Sequence, residues 1–321
     1  MTDVARPPFD DAVARALVEF DDLVVVSMSS DEIPRVRDSG VAAPLVELTA
    51  HGAFEREELL VPGWNDDDPA VGVVVYTPVV VRRPVPVILH LHGGGLIAGT
   101  ADSDMPATAA LAERTGCAVV SVEYRLAPEH PYPAALEDAA AALRWLAGPE
   151  APDALDGDRI IVAGVSAGGG LAAATALFAR DRGGPRIAGL VLLCPMLDHR
   201  SDSESARQMA GHGSWDRDAN ATAWAAYLSG VEGEVPPYAS PAVAGSLAGL
   251  PPTFIDVGSA ETFRDECVAF ARRMWADGGD AELHVWPGGA HAFDFLAPWT
   301  VLARDARRAR EEWLRRLLHR I

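Results

Sequence analysis

A serine in the middle of the chain has neighbours suited to nucleophilic catalysis. Residues 164–168 read GVSAG, at the end of the apolar run RIIVAGV and at the start of the helical pattern AGGGLAAATALFARD. A strand that turns sharply into a helix holds such a serine exposed, and the glycines leave room for the turn. The helix amino terminus stabilises an oxyanion formed when the hydroxyl attacks an acyl carbonyl. The pattern predicts Ser166 as a nucleophile; the alternative is a glycine-rich helix start packed tightly on a sheet.

Three consecutive glycines are the second feature that suits this chemistry. They follow the apolar run VPVILHL in the segment HGGG. Without side chains, the backbone can approach a ligand closely and point N–H groups at it. We expect the N–H groups of Gly93 and Gly94, together with that of Ala167, to bind the tetrahedral oxyanion.

Two other uses of the glycine segment are less well supported. His90 and His92 alternate along the preceding strand as two metal ligands can, but no third ligand follows nearby. The glycines could also hold a phosphate, but no lysine follows them and the net charge of −19 disfavours an anion. We therefore predict neither a metal nor an organic cofactor.

A serine hydroxyl needs a general base, and one histidine is well placed for this role. His291 follows the late strand pattern AELHVWP and two glycines. In folds with this type of serine turn the histidine comes last along the chain, after the acid. His284 lies inside the strand pattern and His319 in the terminal helix, where both have structural explanations. We predict His291 as the base.

The acid that orients the histidine should follow the preceding strand pattern, TFIDVG. Glu261 lies just past this strand and before the next helix, and we assign it as the acid. Asp256 lies inside the strand and is expected to be structural. Asp265 and Glu266 open the helix RDECVAFARRMWADG, where negative charge already suits the helix dipole. Asp265 remains the reserve candidate.

The composition excludes several classes of protein. The 321 residues include 27 basic ones, all of them arginine, so no lysine can form a Schiff base or grip a phosphate. The net charge of −19 argues against binding to nucleic acid or to an anionic membrane. The chain shows no apolar run of membrane-spanning length and no signal-peptide pattern. Its three cysteines are far apart, which favours reduced thiols and a cytoplasmic location.

The apolar pattern predicts an α/β fold. Eight β-rich runs are present, and from the third onward most are separated by helical patterns. This alternation indicates an eight-stranded, mostly parallel sheet with helices on both faces, and its first two strands should pair antiparallel at one edge. Residues 1–50 and 199–250 break the rhythm and are interpreted as helical pieces folded over the sheet.

Several motifs in order resemble one known family. They are HGGGLIAGT, YRLAPEHPYPAALED, GVSAGG and HAF, and the resemblance covers nearly all of the chain from about residue 50. The chain resembles the bacterial hormone-sensitive-lipase-like esterases of the α/β-hydrolase superfamily. Most members carry aspartate where Glu261 stands, so the longer side chain requires its loop to retract slightly.

The resemblance implies a division of the chain into a core and a cap. The α/β-hydrolase core would comprise residues 51–198 and 251–321, and the helical cap residues 1–50 and 199–250. Trp215, Trp224 and Tyr227 of the second cap segment could then line a substrate pocket. Their alternative role is packing within the cap, which is the expectation for at least two of the three.

The function implied is that of a serine carboxylic-ester hydrolase. It would act on short- to medium-chain acyl esters through an acyl-enzyme, with a small-molecule substrate and no cofactor, and the resemblance allows a homodimer. A lactonase, an amidase or a natural-product deacetylase would use the same triad. A non-catalytic receptor is the remaining alternative, because the plant gibberellin receptors resemble this family and lack the histidine that His291 provides here.

Overall fold

The apolar runs form one sheet of eight strands in the computed structural model, which describes residues 5–21, 24–38, 43–80, 82 and 84–321. The central strands Val85–Leu91 and Gly189–Leu193 are buried along their whole length because helices cover the sheet, which explains their continuous apolar sequences. The strands are β1 (Phe54–Val61), β2 (Val71–Pro78), β3 (Val85–Leu91), β4 (Ala118–Glu123), β5 (Leu155–Val165), β6 (Gly189–Leu193), β7 (Thr253–Gly258) and β8 (Ala281–Trp286).

The strand order confirms the predicted fold class. The sheet runs β1-β2-β4-β3-β5-β6-β7-β8. The β1–β2 and β2–β4 pairs are antiparallel and all the others are parallel. Because β5, β6, β7 and β8 are consecutive and parallel, the loops that follow them meet at one edge of the sheet.

Helices cover the sheet in two layers. The helices Met105–Thr115 and Val301–Leu318 pack together, as do Ala134–Leu146 and Ala167–Arg182, and each pair also contacts strands. None of the helices among the described residues combines the length and the apolar character needed to cross a bilayer. The helices are α1 (Asp11–Glu19), α2 (Ile33–Asp38), α3 (Leu45–Leu48), α4 (Met105–Thr115), α5 (Ala134–Leu146), α6 (Ala167–Arg182), α7 (Glu204–Gln208), α8 (Arg217–Tyr227), α9 (Arg264–Ala276), α10 (Phe293–Leu296) and α11 (Val301–Leu318).

The two segments that break the strand–helix rhythm contact each other. Val25 forms a parallel bridge with Trp215, and the Ser27 N–H donates to Asp216 Oδ1 at 3.0 Å. The Thr222 hydroxyl donates to the Met28 carbonyl at 2.6 Å. Residues 1–4, 22–23 and 39–42 of the first segment lie outside the described residues.

A buried cation joins the last helix to the sheet. Arg310 of α11 contacts Asp256 of β7 at 2.9 Å and Asp294 of α10 at 3.0 Å, and all three side chains are about 5% exposed. Charges buried this deeply need partners, and each carboxylate has the guanidinium as its counterion. Asp256 is therefore structural, as the sequence predicted.

Arg310→Ala should destabilise the protein by about 3–5 kcal/mol, because it leaves two buried carboxylates unpaired. Urea unfolding followed by circular dichroism measures this change. Arg308→Ala is the matched control, since Arg308 lies on the exposed face of the same helix and pairs with the half-exposed Glu312. Equal stability of the two variants would contradict the assigned role of Arg310.

Candidate active site

The serine lies on a strained turn between β5 and α6. Ser166 has φ 56° and ψ −119°, a left-handed conformation that few residues other than glycine adopt. Its N–H donates to the Leu193 carbonyl at 2.8 Å, which ties the turn to β6. A side chain at Gly164 would collide with the backbone of Gly168, and one at Gly168 with that of Leu91. The spacing of the two glycines is thus a steric requirement of this turn.

The serine hydroxyl meets a histidine from the loop after β8. The distance from Ser166 Oγ to His291 Nε2 is 2.9 Å, and the two residues are 6% and 7% exposed. The edge of the imidazole packs against Phe263, with ring centroids 5.0 Å apart. The Ser214 hydroxyl donates to the His291 carbonyl at 2.6 Å. The imidazole is thus positioned from two further segments of the chain.

A carboxylate lies behind the imidazole. Glu261 follows β7, is 1% exposed, and places Oε1 3.5 Å from His291 Nδ1. The same oxygen accepts the Phe263 N–H at 3.1 Å, and the Gly258 N–H lies 3.4 Å from Oε2. Nδ1 itself has no hydrogen-bond partner among the described residues. Contacts of this type are often long before substrate binds and tighten in the reacting complex.

The reserve candidate for the acid has other partners. The Asp265 carboxylate accepts the Ser205 N–H and the Arg264 Nε–H, both at 2.8 Å, near the start of α9. Its neighbour Glu266 accepts the Leu197 N–H at 2.7 Å, and burial raises the pKa of Glu266 well above its usual value. The structure therefore brings Glu261 to the imidazole and directs Asp265 elsewhere.

The glycine loop requires one correction. The Gly93 N–H donates to Asp104 Oδ2 at 2.8 Å, so it is not free to bind an oxyanion as predicted. The N–H groups of Gly94, Gly95 and Ala167 have no acceptor among the described residues. No local pattern predicted this contact, because Asp104 lies 11 positions downstream in a loop.

Two neighbouring histidines support the glycine loop and the strand before it. His92 Nδ1 contacts the Gly93 carbonyl at 2.7 Å, and its ring stacks on Tyr124 at 4.0 Å. A carbonyl only accepts, so Nδ1 must carry the proton. His90 Nδ1 contacts the Ser121 hydroxyl at 2.9 Å. Burial lowers the pKa of His90 to about 3 and that of His92 to about 4, so both are neutral and structural.

The three aromatic residues of the second irregular segment differ in position. Trp215 lies against the glycine loop, since a methyl group at Gly95 would come within 2.8 Å of its ring. Trp224 packs near His199, with ring centroids 6.3 Å apart. Tyr227 packs edge-on against a neighbouring tyrosine ring at 5.9 Å. Trp215 is the one of the three placed beside the loop that faces Ser166.

Sequence reasoning missed one residue at this site. Cys194 directly follows β6, and its Sγ lies within 4.8 Å of ligand atoms of both Glu261 and His291. Its only signal in the sequence is its place at the end of a parallel strand, where site residues gather.

The fold and this arrangement define the class of α/β serine hydrolases. A family model described as alpha/beta hydrolase fold matches residues 88–295. The carboxylesterase NlhH of Mycobacterium tuberculosis is 34% identical over 320 residues, 98% of each chain. The ethyl acetate hydrolase of Pseudomonas putida is 30% identical over 280 residues, 80% of this chain and 87% of the relative.

A solved structure called bacterial heroin esterase has a TM-score of 0.86 and 32% sequence identity, covering 97% of this chain and 98% of its own. The chain belongs to the α/β-hydrolase-fold family, and the resemblance to its hormone-sensitive-lipase-like esterases is confirmed.

Proposed function

We propose that the protein hydrolyses carboxylic esters with Ser166 as nucleophile. The predicted class of enzyme, an ester hydrolase, is confirmed by full-length relatives that are named carboxylesterase and esterase. The observation that carries the proposed mechanism is the 2.9 Å contact between the serine hydroxyl and His291 Nε2, in a chain with the family's motif order.

Hydrolysis would proceed in two steps. In the first, Nε2 of His291 takes the hydroxyl proton while Ser166 Oγ bonds to the ester carbonyl carbon. The imidazolium then returns the proton to the alkoxide leaving group, and an acyl-enzyme remains. In the second step, water gives a proton to Nε2 and attacks the acyl carbon. The imidazolium then returns this proton to Ser166 Oγ as the bond from Oγ to the acyl carbon breaks, which releases the acid and restores the serine. Glu261 holds the Nδ1 proton and stabilises the imidazolium formed in each step.

The negative charge that develops on the carbonyl oxygen needs donors. Gly94 and Ala167 remain candidates, and Gly95 takes the place first assigned to Gly93, because none of these three N–H groups has an acceptor among the described residues. Each donor of this type contributes about 3–4 kcal/mol to transition-state stabilisation. Asp104 would act indirectly, since its contact with Gly93 anchors the loop that presents the next two N–H groups.

Residues 1–50 and 199–250 are proposed to form a cap over this site, with residues 51–198 and 251–321 as the core. Two contacts from the second segment support this division. Ser214 binds the backbone of His291, and Trp215 packs on the glycine loop beside Gly95. The cap would thus limit the space for the acyl or alcohol part of the substrate.

We expect faster turnover of p-nitrophenyl acetate and butyrate than of the octanoate and palmitate esters. The large Trp215 ring lies against the glycine loop, and a named relative acts on ethyl acetate. A comparison of kcat/KM across the four esters measures this preference. Trp215→Ala is the informative variant, since it should improve the relative kcat/KM for the longer esters. A palmitate preference in the wild type would contradict the proposal.

Two alternatives can be separated from ester hydrolysis in the same assay. A lactone and an anilide of matched acyl length test for lactonase and amidase activity with the same residues. A receptor would bind such compounds without turnover. Stoichiometric labelling of the protein by a fluorophosphonate, in which the serine oxygen displaces fluoride from phosphorus, requires an activated nucleophile.

We also infer a reducing location such as the cytoplasm, because Cys117, Cys194 and Cys267 are all free and buried. A homodimer stays a prediction, which light scattering at several protein concentrations tests.

A further inference from the structure

The thiol of Cys194 lies beside Glu261 and His291, the two proposed catalytic partners of Ser166. Cys194 is 5% exposed and has φ 37°, and its N–H donates to the Asp256 carbonyl at 2.7 Å. Its Sγ, a carboxylate oxygen of Glu261 and a ring nitrogen of His291 all lie within 4.8 Å of one another. The three residues follow β6, β7 and β8, which are neighbours in the sheet. Ester hydrolysis as described uses the carboxylate and the imidazole but gives the thiol no task.

The imidazole presents its Nδ1 atom to this cluster, on the side that faces Glu261. His291 is 7% exposed, and its Nδ1 has no hydrogen-bond partner among the described residues, although Glu261 Oε1 is 3.5 Å away. Buried polar atoms nearly always have a partner. Nδ1 is therefore a nitrogen atom that could coordinate a cation. The sulfur atom of Cys194 and an oxygen atom of Glu261 lie close enough to coordinate the same cation.

We propose that Cys194, Glu261 and His291 form an inhibitory binding site for a soft divalent cation such as Zn²⁺ or Cd²⁺. Zinc is commonly bound by this combination of thiolate sulfur, imidazole nitrogen and carboxylate oxygen, and thiolates select such cations over Mg²⁺ or Ca²⁺. With metal–ligand bonds of about 2.0–2.3 Å, tetrahedral ligand atoms lie about 3.3–3.8 Å apart. The three atoms need to approach one another by at most about 1.5 Å, and water would complete the tetrahedron.

Cation binding would block the base. The Cys194 thiol releases its proton to solvent and bonds to the cation as a thiolate. Burial, with the nearby Glu261 carboxylate, raises the pKa of this thiol well above its usual value, so cation affinity should fall as the pH falls. When Nδ1 bonds to the cation, the neutral imidazole carries its proton on Nε2. Nε2 can then no longer accept the proton of Ser166, and the carboxylate is occupied as well.

Inhibition rests on the proposed function, whereas cation binding does not, so the two are measured separately. Initial rates of p-nitrophenyl acetate hydrolysis are titrated with Zn²⁺ in the wild type, Cys194→Ala and Cys117→Ala, each relative to its own metal-free rate. We expect a chelator to reverse inhibition of the wild type. The half-inhibiting Zn²⁺ concentration should rise at least about tenfold in Cys194→Ala, in line with the effects of altered metal surroundings. Cys117 is a buried thiol directly before β4, and its variant should match the wild type.

Equal sensitivity of Cys194→Ala and the wild type, or a wild type that Zn²⁺ does not inhibit, would overturn the proposal. A second measurement requires neither activity nor a Cys194 variant. Crystals of Ser166→Ala soaked in Cd²⁺ should show an anomalous peak bonded to Cys194 Sγ and His291 Nδ1, and a peak elsewhere alone would also overturn it. A bound cation in a wild type without esterase activity would refute the proposed function and leave the site in place.

Discussion

Ser166→Ala is expected to lower kcat for p-nitrophenyl acetate by about 10⁴- to 10⁶-fold. The substitution removes Oγ, the only atom that can bond to the acyl carbon in the proposed mechanism. The histidine and the oxyanion donors remain. What activity is left should come from direct attack of water on the ester, with the oxyanion donors still stabilising the carbonyl oxygen. Alanine also fits the turn sterically, because the side chain becomes smaller and the flanking glycines are unchanged.

Two measurements make this result interpretable. Circular dichroism and the thermal midpoint should stay close to those of the wild type, and fluorophosphonate labelling should disappear. Ser246→Ala is the matched control, since Ser246 lies on the surface and contacts Asp277 far from the site. If Ser166→Ala kept most of the wild-type rate, or if the fluorophosphonate labelled a different serine, the assignment of the nucleophile would be wrong.

Glu261→Gln is expected to lower kcat by about 10⁴-fold. The amide has nearly the same shape as the carboxylate, but it carries no charge to stabilise the imidazolium of His291. Its NH₂ group can also face Nδ1 and favour the wrong tautomer. An amide oxygen can still accept the Phe263 N–H, so the fold should be retained.

The matched control is Asp265→Asn, the same change of acid to amide a short distance along the chain. The Asp265 carboxylate contacts Ser205 and Arg264, so kcat should stay near the wild-type value. Glu261→Asp keeps the charge but shortens the side chain, and it should lose less activity than Glu261→Gln. A large loss in Asp265→Asn with little change in Glu261→Gln would give the acid role to Asp265.

The local patterns of the sequence predicted much of the fold. Continuous apolar runs predicted central strands such as β3 and β6, since a strand buried on both faces has few polar positions. The edge strands β1 and β8 carry polar residues and were predicted from their β-rich composition. The serine turn was predictable for a similar reason. A strand, a helix and two glycines at fixed spacing are all local, and the structure shows why Gly164 and Gly168 cannot carry side chains.

The positions of residues along the chain reduced the number of candidate partners for Ser166. They did not show which of these candidates contact one another. His291 and Glu261 were selected because each follows a late strand. The structure places both at one edge of the sheet, since β7 and β8 are adjacent and parallel. Their catalytic roles stay predictions until the variants are measured.

The sequence by itself determined the eight strands and the turn that carries Ser166, because each depends on residues close together in the chain. The order of its motifs along the chain determined the family. Only the tertiary structure decided that Gly93 gives its N–H to Asp104, that Asp265 faces Ser205, and that Cys194 lies beside His291. Such contacts join loops that are distant in sequence. Their partners depend on which strands lie next to each other in the sheet and on the direction in which each side chain leaves its loop.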